Sequence, residues 1–267
     1  MLRDITIGQY YQTESVVHKL DPRVKLLGTI AYIISLFLYD NIWGYVCAGL
    51  FLALVIKASK VPFKFMIKGM KAILFLLMIT VVFNLFLTPG EALVTVWKLQ
   101  ITKEGIKVAG FLAIRLIFLI IGSSVMTLTT TPNNLTDGME RLLSPLKVIK
   151  LPVHEISMMM SIALRFIPIL LEETDKIMKA QIARGADFES GNIIKKAKAM
   201  VPLLVPLFIS AFRRANDLAM AMEARCYRGG DGRTKMKPLI YKKRDYTAYV
   251  ILVGYLVGSI LIGKVLL

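Results

Sequence analysis

Cysteine and histidine are scarce in this chain, which has two of each among 267 residues. Cys47 and Cys226 stand far apart and offer neither a disulfide framework nor the clustered thiols of a metal site. His18 and His154 each lack a neighbour at the spacing that metal binding or nucleophilic catalysis would need. The sequence therefore predicts no metal site and no catalytic residues, and we expect the chain to hold no cofactor of its own.

Acidic residues are also few, with 18 Asp and Glu against 34 Lys and Arg, which leaves a net charge of +16. A strongly basic chain can bind nucleic acid through a stripe of positive charge interleaved with aromatic side chains. The basic residues form no such stripe here, because their positions follow the apolar runs described below. Anionic lipid and acidic grooves on partner proteins therefore explain the charge better than nucleic acid does.

Long apolar runs are what the chain has in abundance. Hydrophobic residues make up 56% of it and the mean hydropathy is +0.62, which is more than a soluble domain needs for one core. A helix that crosses a bilayer needs roughly 17 to 25 mostly apolar residues. Five runs approach or exceed that length, at residues 24–39, 42–56, 72–87, 106–128 and 246–266. The predicted fold class is an all-α integral membrane protein with about five transmembrane helices.

The Lys and Arg residues are distributed unevenly among the loops, and cytoplasmic loops collect positive charge. With the N-terminus in the cytoplasm, 29 of the 34 fall on the cytoplasmic side. We therefore predict a multi-pass protein of the cell membrane with a cytoplasmic N-terminus. Its four parts are a cytosolic segment at 1–23, transmembrane helices one to four at 24–128, a cytosolic helical domain at 129–246 and a C-terminal transmembrane helix at 247–267.

The cytosolic domain contains two apolar stretches, 154–171 and 200–212, that resemble spans. The first includes Glu155 and Arg165, the second has about 13 residues between charges, and a charge at the bilayer centre costs several kcal/mol. We predict cytosolic or interfacial helices instead: a short one from about residue 133 and long ones at about 153–184 and 192–228. Prolines should start or kink these helices, at positions 145, 152, 168, 202 and 206.

Two similar tripeptides end the long predicted helices, Ala183-Arg184-Gly185 and Ala224-Arg225-Cys226, 41 residues apart. Gly185 is a natural left-handed helix cap, and a cation complements the helix C-terminus, so each site alone can be explained as helix termination. The repetition favours a binding role. We call residues 183–185 and 224–226 the arginine tips. The small alanine side chain keeps each tip narrow enough to enter a groove, and a guanidinium can pair bidentately with a carboxylate.

Arg115 lies about ten residues inside a predicted span, where an isolated charge is costly and normally has a partner. The other spans carry no obvious internal Asp or Glu. Asn84 or a backbone carbonyl could serve as the partner, and we expect Arg115 to have a structural role.

Three motifs of this chain resemble those of the transmembrane (T) component of energy-coupling factor transporters, a cobalt transport permease-like family. These transporters import vitamins and trace-metal ions using ATP. The motifs are residues 18–26 (HKLDPRVKL), 183–185 (ARG) and 221–230 (AMEARCYRGG), and the resemblance covers the entire chain. It implies a structural role for Asp21, Pro22 and Arg23 before the first span.

The resemblance also implies partners. In that family two ABC-type ATPases each hold one coupling helix through the arginine of its motif, and the helices cradle a separate substrate-binding membrane subunit. ATP would then be bound and hydrolysed by the partners, and this chain would be a non-catalytic scaffold of a vitamin importer. A dedicated cobalt or nickel importer is the alternative substrate class.

Methionines are frequent in the cytosolic domain, and Met158, Met159 and Met160 are consecutive. Their soft side chains suit interchangeable partners, so we predict contact with the substrate-binding subunit here, although gap-filling against core or lipid would explain them as well. A self-contained secondary transporter, the main alternative from another class, would need paired polar residues inside the membrane. A passive membrane anchor would not require duplicated arginine tips.

Overall fold

The structure, a computed structural model, describes residues 10–39, 41–96, 99–188, 192–230, 236 and 238–265. The start of the predicted segment 1–23 and the end of the last predicted span lie outside these residues. The helices are α1 (Pro22–Ser35), α2 (Ile42–Ser59), α3 (Phe63–Leu87), α4 (Lys103–Thr129), α5 (Pro132–Leu143), α6 (Val153–Ala183), α7 (Ile193–Ala224) and α8 (Lys243–Val265). A 3-10 helix at Ser144–Ile149 precedes α6.

The chain divides into two compact units. The bundle unit comprises Gly8–Leu142 and Leu239–Leu267, and the helix-pair unit comprises Leu143–Pro238. The predicted cytosolic domain at 129–246 is broader than the helix-pair unit because α5 packs within the bundle unit. Thr136 of α5 is buried there, and a Cβ at Gly138 would collide with Pro22 of α1.

The core of the bundle unit is aromatic and aliphatic and lies between α1, α2, α4 and α8. Tyr255 of α8 stacks on Phe51 of α2 at 4.2 Å between ring centroids. Its hydroxyl shares hydrogen bonds with the hydroxyls of Ser35 (2.7 Å) and Tyr39 (3.1 Å), so the one polar group of a buried ring is satisfied. Many outward apolar side chains are exposed, as expected where lipid is the surrounding solvent.

Four helices are long and apolar enough to cross a bilayer in the described part of the chain: α2, α4, α6 and α8. Three of them match predicted spans. The predicted first span is shorter than expected, because α1 has 14 residues and turns at Leu36–Leu38, which gives about 21 Å of helix against a hydrocarbon core of about 30 Å. In α3 the apolar part is Ile73–Leu87. The exclusion of α6 from the membrane stays a prediction.

The all-α membrane class is confirmed, with one small addition that the sequence analysis missed. Strands β1 (Ala92–Val96) and β2 (Leu99–Thr102) form an antiparallel hairpin between α3 and α4, with an irregularity between Ala92 and Val94. Both strands contain β-branched Val, Ile or Thr, which favour extended backbone. They are too short to stand out between two long apolar runs.

The start of α1 is fixed by charged groups at Asp21 and Arg23, which flank Pro22. Asp21 caps α1 by accepting from the Arg23 backbone N–H (2.9 Å), and its carboxylate also accepts from the Arg23 guanidinium (2.8 and 3.0 Å). Pro22 occupies the first turn, where its missing N–H costs nothing. Burial raises the pKa of Asp21, but the hydrogen bonds and charge of Arg23 outweigh it and hold that pKa below its ordinary value.

Asp245, which the sequence analysis did not single out, connects the two ends of the bundle unit. Its buried carboxylate accepts the backbone N–H of Asp21 (2.8 Å) and that of Lys242 (2.7 Å). Lys242 precedes the first residue of α8 and Asp245 is the third, so the second bond is the acidic half of a capping box. An acidic residue in the first turn of α8 was the available sequence signal.

Arg115 contacts neutral groups of the described residues. Its Nε donates to the Leu36 carbonyl (3.1 Å) and to the Tyr45 hydroxyl (2.9 Å), and its guanidinium lies over the Phe37 ring at 5.1 Å. The Leu36 carbonyl is free to accept because α1 ends there. A backbone carbonyl was one of the two predicted partners; the other, Asn84, instead donates to Thr80 of its own helix.

Candidate functional site

Helices α6 and α7 have nearly equal lengths, 31 and 32 residues. A shift of 41 positions carries Val153–Ala183 onto residues 194–224, which is all of α7 except its first residue. The same shift carries Ala183-Arg184 onto Ala224-Arg225, and Glu172-Glu173 onto Arg213-Arg214. The helix-pair unit therefore contains a structural repeat, with acidic residues in one copy and arginines at the equivalent places in the other.

Contacts between α6 and α7 show an antiparallel pair. Arg214 donates to Glu173 at 3.0 Å, and Gln181, further along α6, donates to the Pro202 carbonyl, which is earlier in α7. At the far end, a Cβ at Gly230 would collide with the ring of His154. The Glu173–Arg214 pair joins equivalent positions of the two copies, as expected where two similar helices cross about a local two-fold axis.

Both helices end in the same way. At the end of α6 the N–H of Gly185 donates to Ile182 (2.9 Å) and that of Ala186 to Gln181 (3.0 Å). At the end of α7 the N–H of Cys226 donates to Glu223 (2.8 Å) and that of Tyr227 to Met222 (3.0 Å). These are the two bonds of a Schellman motif, with Arg184 and Arg225 at the C-cap.

The residue after each arginine is left-handed, as the motif requires, with φ of +87° at Gly185 and +55° at Cys226. Cys226 thus performs the backbone role that glycine performs at the first tip. All six tripeptide residues are exposed. Within the described residues neither Arg184 nor Arg225 uses its guanidinium in a hydrogen bond or ion pair, so each planar donor group is available to an outside partner.

The two arginines lie at opposite ends of the antiparallel pair. Each is 11 residues beyond its own member of the Glu173–Arg214 pair. At 1.5 Å per residue each tip is about 16 Å from the crossing, so the tips are on the order of 30 Å apart. Two exposed guanidinium groups on matching helix ends, separated by this distance, can engage two similar acidic grooves at once.

Comparison with known proteins agrees with these motifs. The statistical description of the cobalt transport protein family matches residues 13–236, which is most of the chain and includes α1 to α7 and both tips. The chain belongs to the cobalt transport protein family. Proteins named energy-coupling factor transporter transmembrane protein EcfT are similar over nearly the whole length: 58% identical in Clostridium kluyveri (93% of both chains), 54% in Ruminiclostridium cellulolyticum (99% of both) and 47% in Bacillus subtilis (95% and 96%).

The resemblance seen in the sequence is therefore confirmed, and with it the general role. This member of the cobalt transport protein family is a multi-pass membrane subunit of an energy-coupling factor transporter. The matched region includes the Asp21–Arg23 cap and the Glu173–Arg214 crossing as well as the tips.

Two surfaces of the helix-pair unit are open to a neighbour in this family member. The predicted contact residues Met158, Met159 and Met160 lie near the start of α6, where Met158 is half-buried and the other two are exposed. On α7, Phe208 and Phe212 stack at 6.3 Å and lie with three aliphatic side chains on an exposed apolar surface, Leu204, Val205 and Ile209. Sequence analysis noted the apolar stretch but did not assign it a role.

Proposed function

We propose that the chain is the energy-coupling scaffold of an ATP-driven vitamin importer. Two cytosolic ABC-type ATPases each receive one arginine tip, Arg184 or Arg225, and the α6–α7 pair carries a substrate-binding membrane subunit. The N-terminus and both tips lie in the cytoplasm. ATP is bound and hydrolysed by the ATPases, and this chain contributes no catalytic residue and no cofactor.

The duplicated helix termination is the observation that supports this proposal most strongly. Termination alone needs no arginine at the cap, because the left-handed residue that follows already closes the motif. Two exposed arginines in equivalent positions match a motor that is itself built from two similar subunits. A single partner subunit would bind one arginine tip and leave the second without a binding role.

The crossing gives the proposal a mechanism. ATP binding draws the ATPases together and hydrolysis lets them part, so helices held at Arg184 and Arg225 turn relative to each other about the Glu173–Arg214 pair. Each helix is about 46 to 48 Å long and transmits that rotation as a nearly rigid rod. The apolar surface of α7 and Met158–Met160 then change the face that they offer to the substrate-binding subunit.

Charge reversal at the tips tests the proposal. The variant with Arg184→Glu and Arg225→Glu should remain in the membrane but lose both ATPases on co-purification, because a carboxylate repels the acidic groove that a guanidinium binds. Each single variant should weaken the complex. The matched control is Lys179→Glu with Lys198→Glu, which changes two exposed cations, one on each helix, by the same charge. Retention of both ATPases by the tip variant, or equal loss in the control, would contradict the proposal.

A dedicated cobalt or nickel importer is the second candidate, and the description of the family as cobalt transport proteins favours it. The relatives are named for energy coupling and carry no substrate in their names. A mass spectrum of the intact complex separates the two candidates, because a shared vitamin module would carry several different substrate subunits and a dedicated ion importer would carry one kind.

A further inference from the structure

A cavity of about 350 Å³ opens on the bundle unit between α1, α2, α4, α8 and the segment before α1. Its walls are almost entirely apolar, and its volume is within the range of small-molecule sites. The lining includes Leu20, Gly28, Phe51, Val125, Ala248 and Leu252. Nothing in the coupling mechanism uses this space.

Two cations, Lys25 and Arg244, carry the charge among the described residues that line the cavity. The Lys25 ammonium is buried and donates to the carbonyls of Thr129 (2.8 Å) and His18 (3.2 Å), which leaves one of its three N–H donors. The Nε of Arg244 is buried and has no hydrogen-bond partner within the described part of the chain. A buried donor without a partner is unfavourable, so a ligand that accepts from it is favoured.

The nearby carboxylates do not neutralise this pair of cations by direct contact. Asp21 is bound to Arg23, and both oxygens of Asp245 accept backbone N–H groups. Lys25 and Arg244 also lie in the first turns of α1 and α8, where the helix dipoles add partial positive charge. This end of the cavity therefore attracts an anion.

The apolar part of the cavity extends away from the cations along α1. Gly28 and Tyr32 follow Lys25 by one and two helical turns, so the lining reaches about 10 Å further into the bundle. An anion with no apolar portion would leave this part unfilled. A ligand with a charged head and a hydrocarbon tail fits both ends.

We propose that this cavity binds an anionic phospholipid, with one acyl chain among α1, α2, α4 and α8 and the phosphate at Lys25 and Arg244. Basic pockets between transmembrane helices recognise acidic lipid head groups by the same combination of charge and apolar wall. The lipid supplies the acceptor that Arg244 lacks and fills the space between the helices, which stabilises the bundle unit independently of the ATPases.

Native mass spectrometry of the full chain in detergent tests this proposal, with dioleoylphosphatidylglycerol and dioleoylphosphatidylcholine as probes. The phosphatidylglycerol should be retained about tenfold more strongly than the phosphatidylcholine. Arg244→Gln should abolish that preference, whereas Lys243→Gln, which removes an exposed neighbouring cation, should preserve it.

A second pair of variants tests the acyl-chain part. Gly28→Leu should fill the cavity and reduce retention of both lipids about tenfold; the nearest neighbour of the new Cβ would be 3.9 Å away, so the variant should fold. Gly254→Leu, where a Cβ meets nothing within 4 Å, is the matched control and should bind as the unchanged chain does. Equal retention of the two lipids by the unchanged chain, no effect of Arg244→Gln, or equal effects of the two leucine variants would each overturn the proposal.

Discussion

At the scale of single residues, the two arginine tips differ in one position that matters for the backbone. Gly185 and Cys226 both adopt a left-handed conformation, but only glycine, which has no Cβ to crowd the following carbonyl oxygen, does so without strain. The second motif has cysteine where the first has glycine. Its geometry shows that the motif tolerates a side chain there.

The strain at Cys226 gives a prediction about stability. Cys226→Gly should raise the free energy of unfolding by about 1 kcal/mol, and Gly185→Ala should lower it by about the same amount. Thermal unfolding of the purified chain in detergent would show these shifts. Gly110→Ala is the matched control for the second change, because Gly110 lies inside α4, has no close neighbour and should become slightly more stable. A stabilising Gly185→Ala would show that the left-handed cap is not formed.

Residues that hold the bundle together were only partly visible in the sequence. Arg115 stood out because a charge inside an apolar run needs a partner, and Asp21 stood out through the family motif at residues 18–26. Asp245 did not stand out. Its two carboxylate oxygens accept the backbone N–H groups of Asp21 and Lys242, and Asp21 is far from Asp245 in the sequence. The bond to Asp21 depends on the packing of α1 against α8 and leaves no local pattern, and the bond to Lys242 is signalled only by an acidic residue in the first turn of α8.

At the scale of elements, the Glu173–Arg214 ion pair joins equivalent positions of α6 and α7. The two side chains are partly exposed, so the pair contributes only about 0 to 1 kcal/mol to stability. Its position is more informative than its strength, because it lies at equivalent points of the two helices and at equal distances from the tips. We expect it to fix where the helices cross.

A charge swap tests this role of the crossing. Spin labels at Ala183→Cys and Ala224→Cys, in a chain that carries Cys226→Gly and Cys47→Ala, report the distance between the tips. Arg214→Glu should broaden that distance distribution, because two carboxylates would then face each other, and adding Glu173→Arg should narrow it again. Lys179→Glu is the control, since Lys179 is exposed and away from the crossing. Failure of the double variant to restore the narrow distribution would argue against a specific ion pair.

The long helices were predicted well because their ends carry strong signals. Pro152 precedes α6 and Gly185 follows it, and the predicted limits of 153–184 agree with Val153–Ala183. Prolines inside α6 and α7 did not end either helix. The early end of α1 and the β1–β2 hairpin were missed, because apolar composition continues through Leu36–Leu38 and the strands are short.

At the scale of the whole molecule, the two compact units carry different features. The bundle unit holds a membrane core of four helices and carries the cavity assigned to lipid. The helix-pair unit carries two equivalent ends and exposed apolar surfaces. A protein of this form suits a transporter whose energy source and substrate recognition reside in other subunits, which is the arrangement we propose for this family member.

The central claim is that each arginine tip inserts into one ATPase, and site-specific photo-crosslinking tests it most directly. A benzoylphenylalanine residue would replace Arg184, Arg225 or, as an exposed control on α2, Leu50. In membranes that contain the assembled transporter, the probes at 184 and 225 should each crosslink to an ATPase and the probe at 50 should not. Crosslinks from 184 and 225 to lipid or to this chain alone would contradict the account.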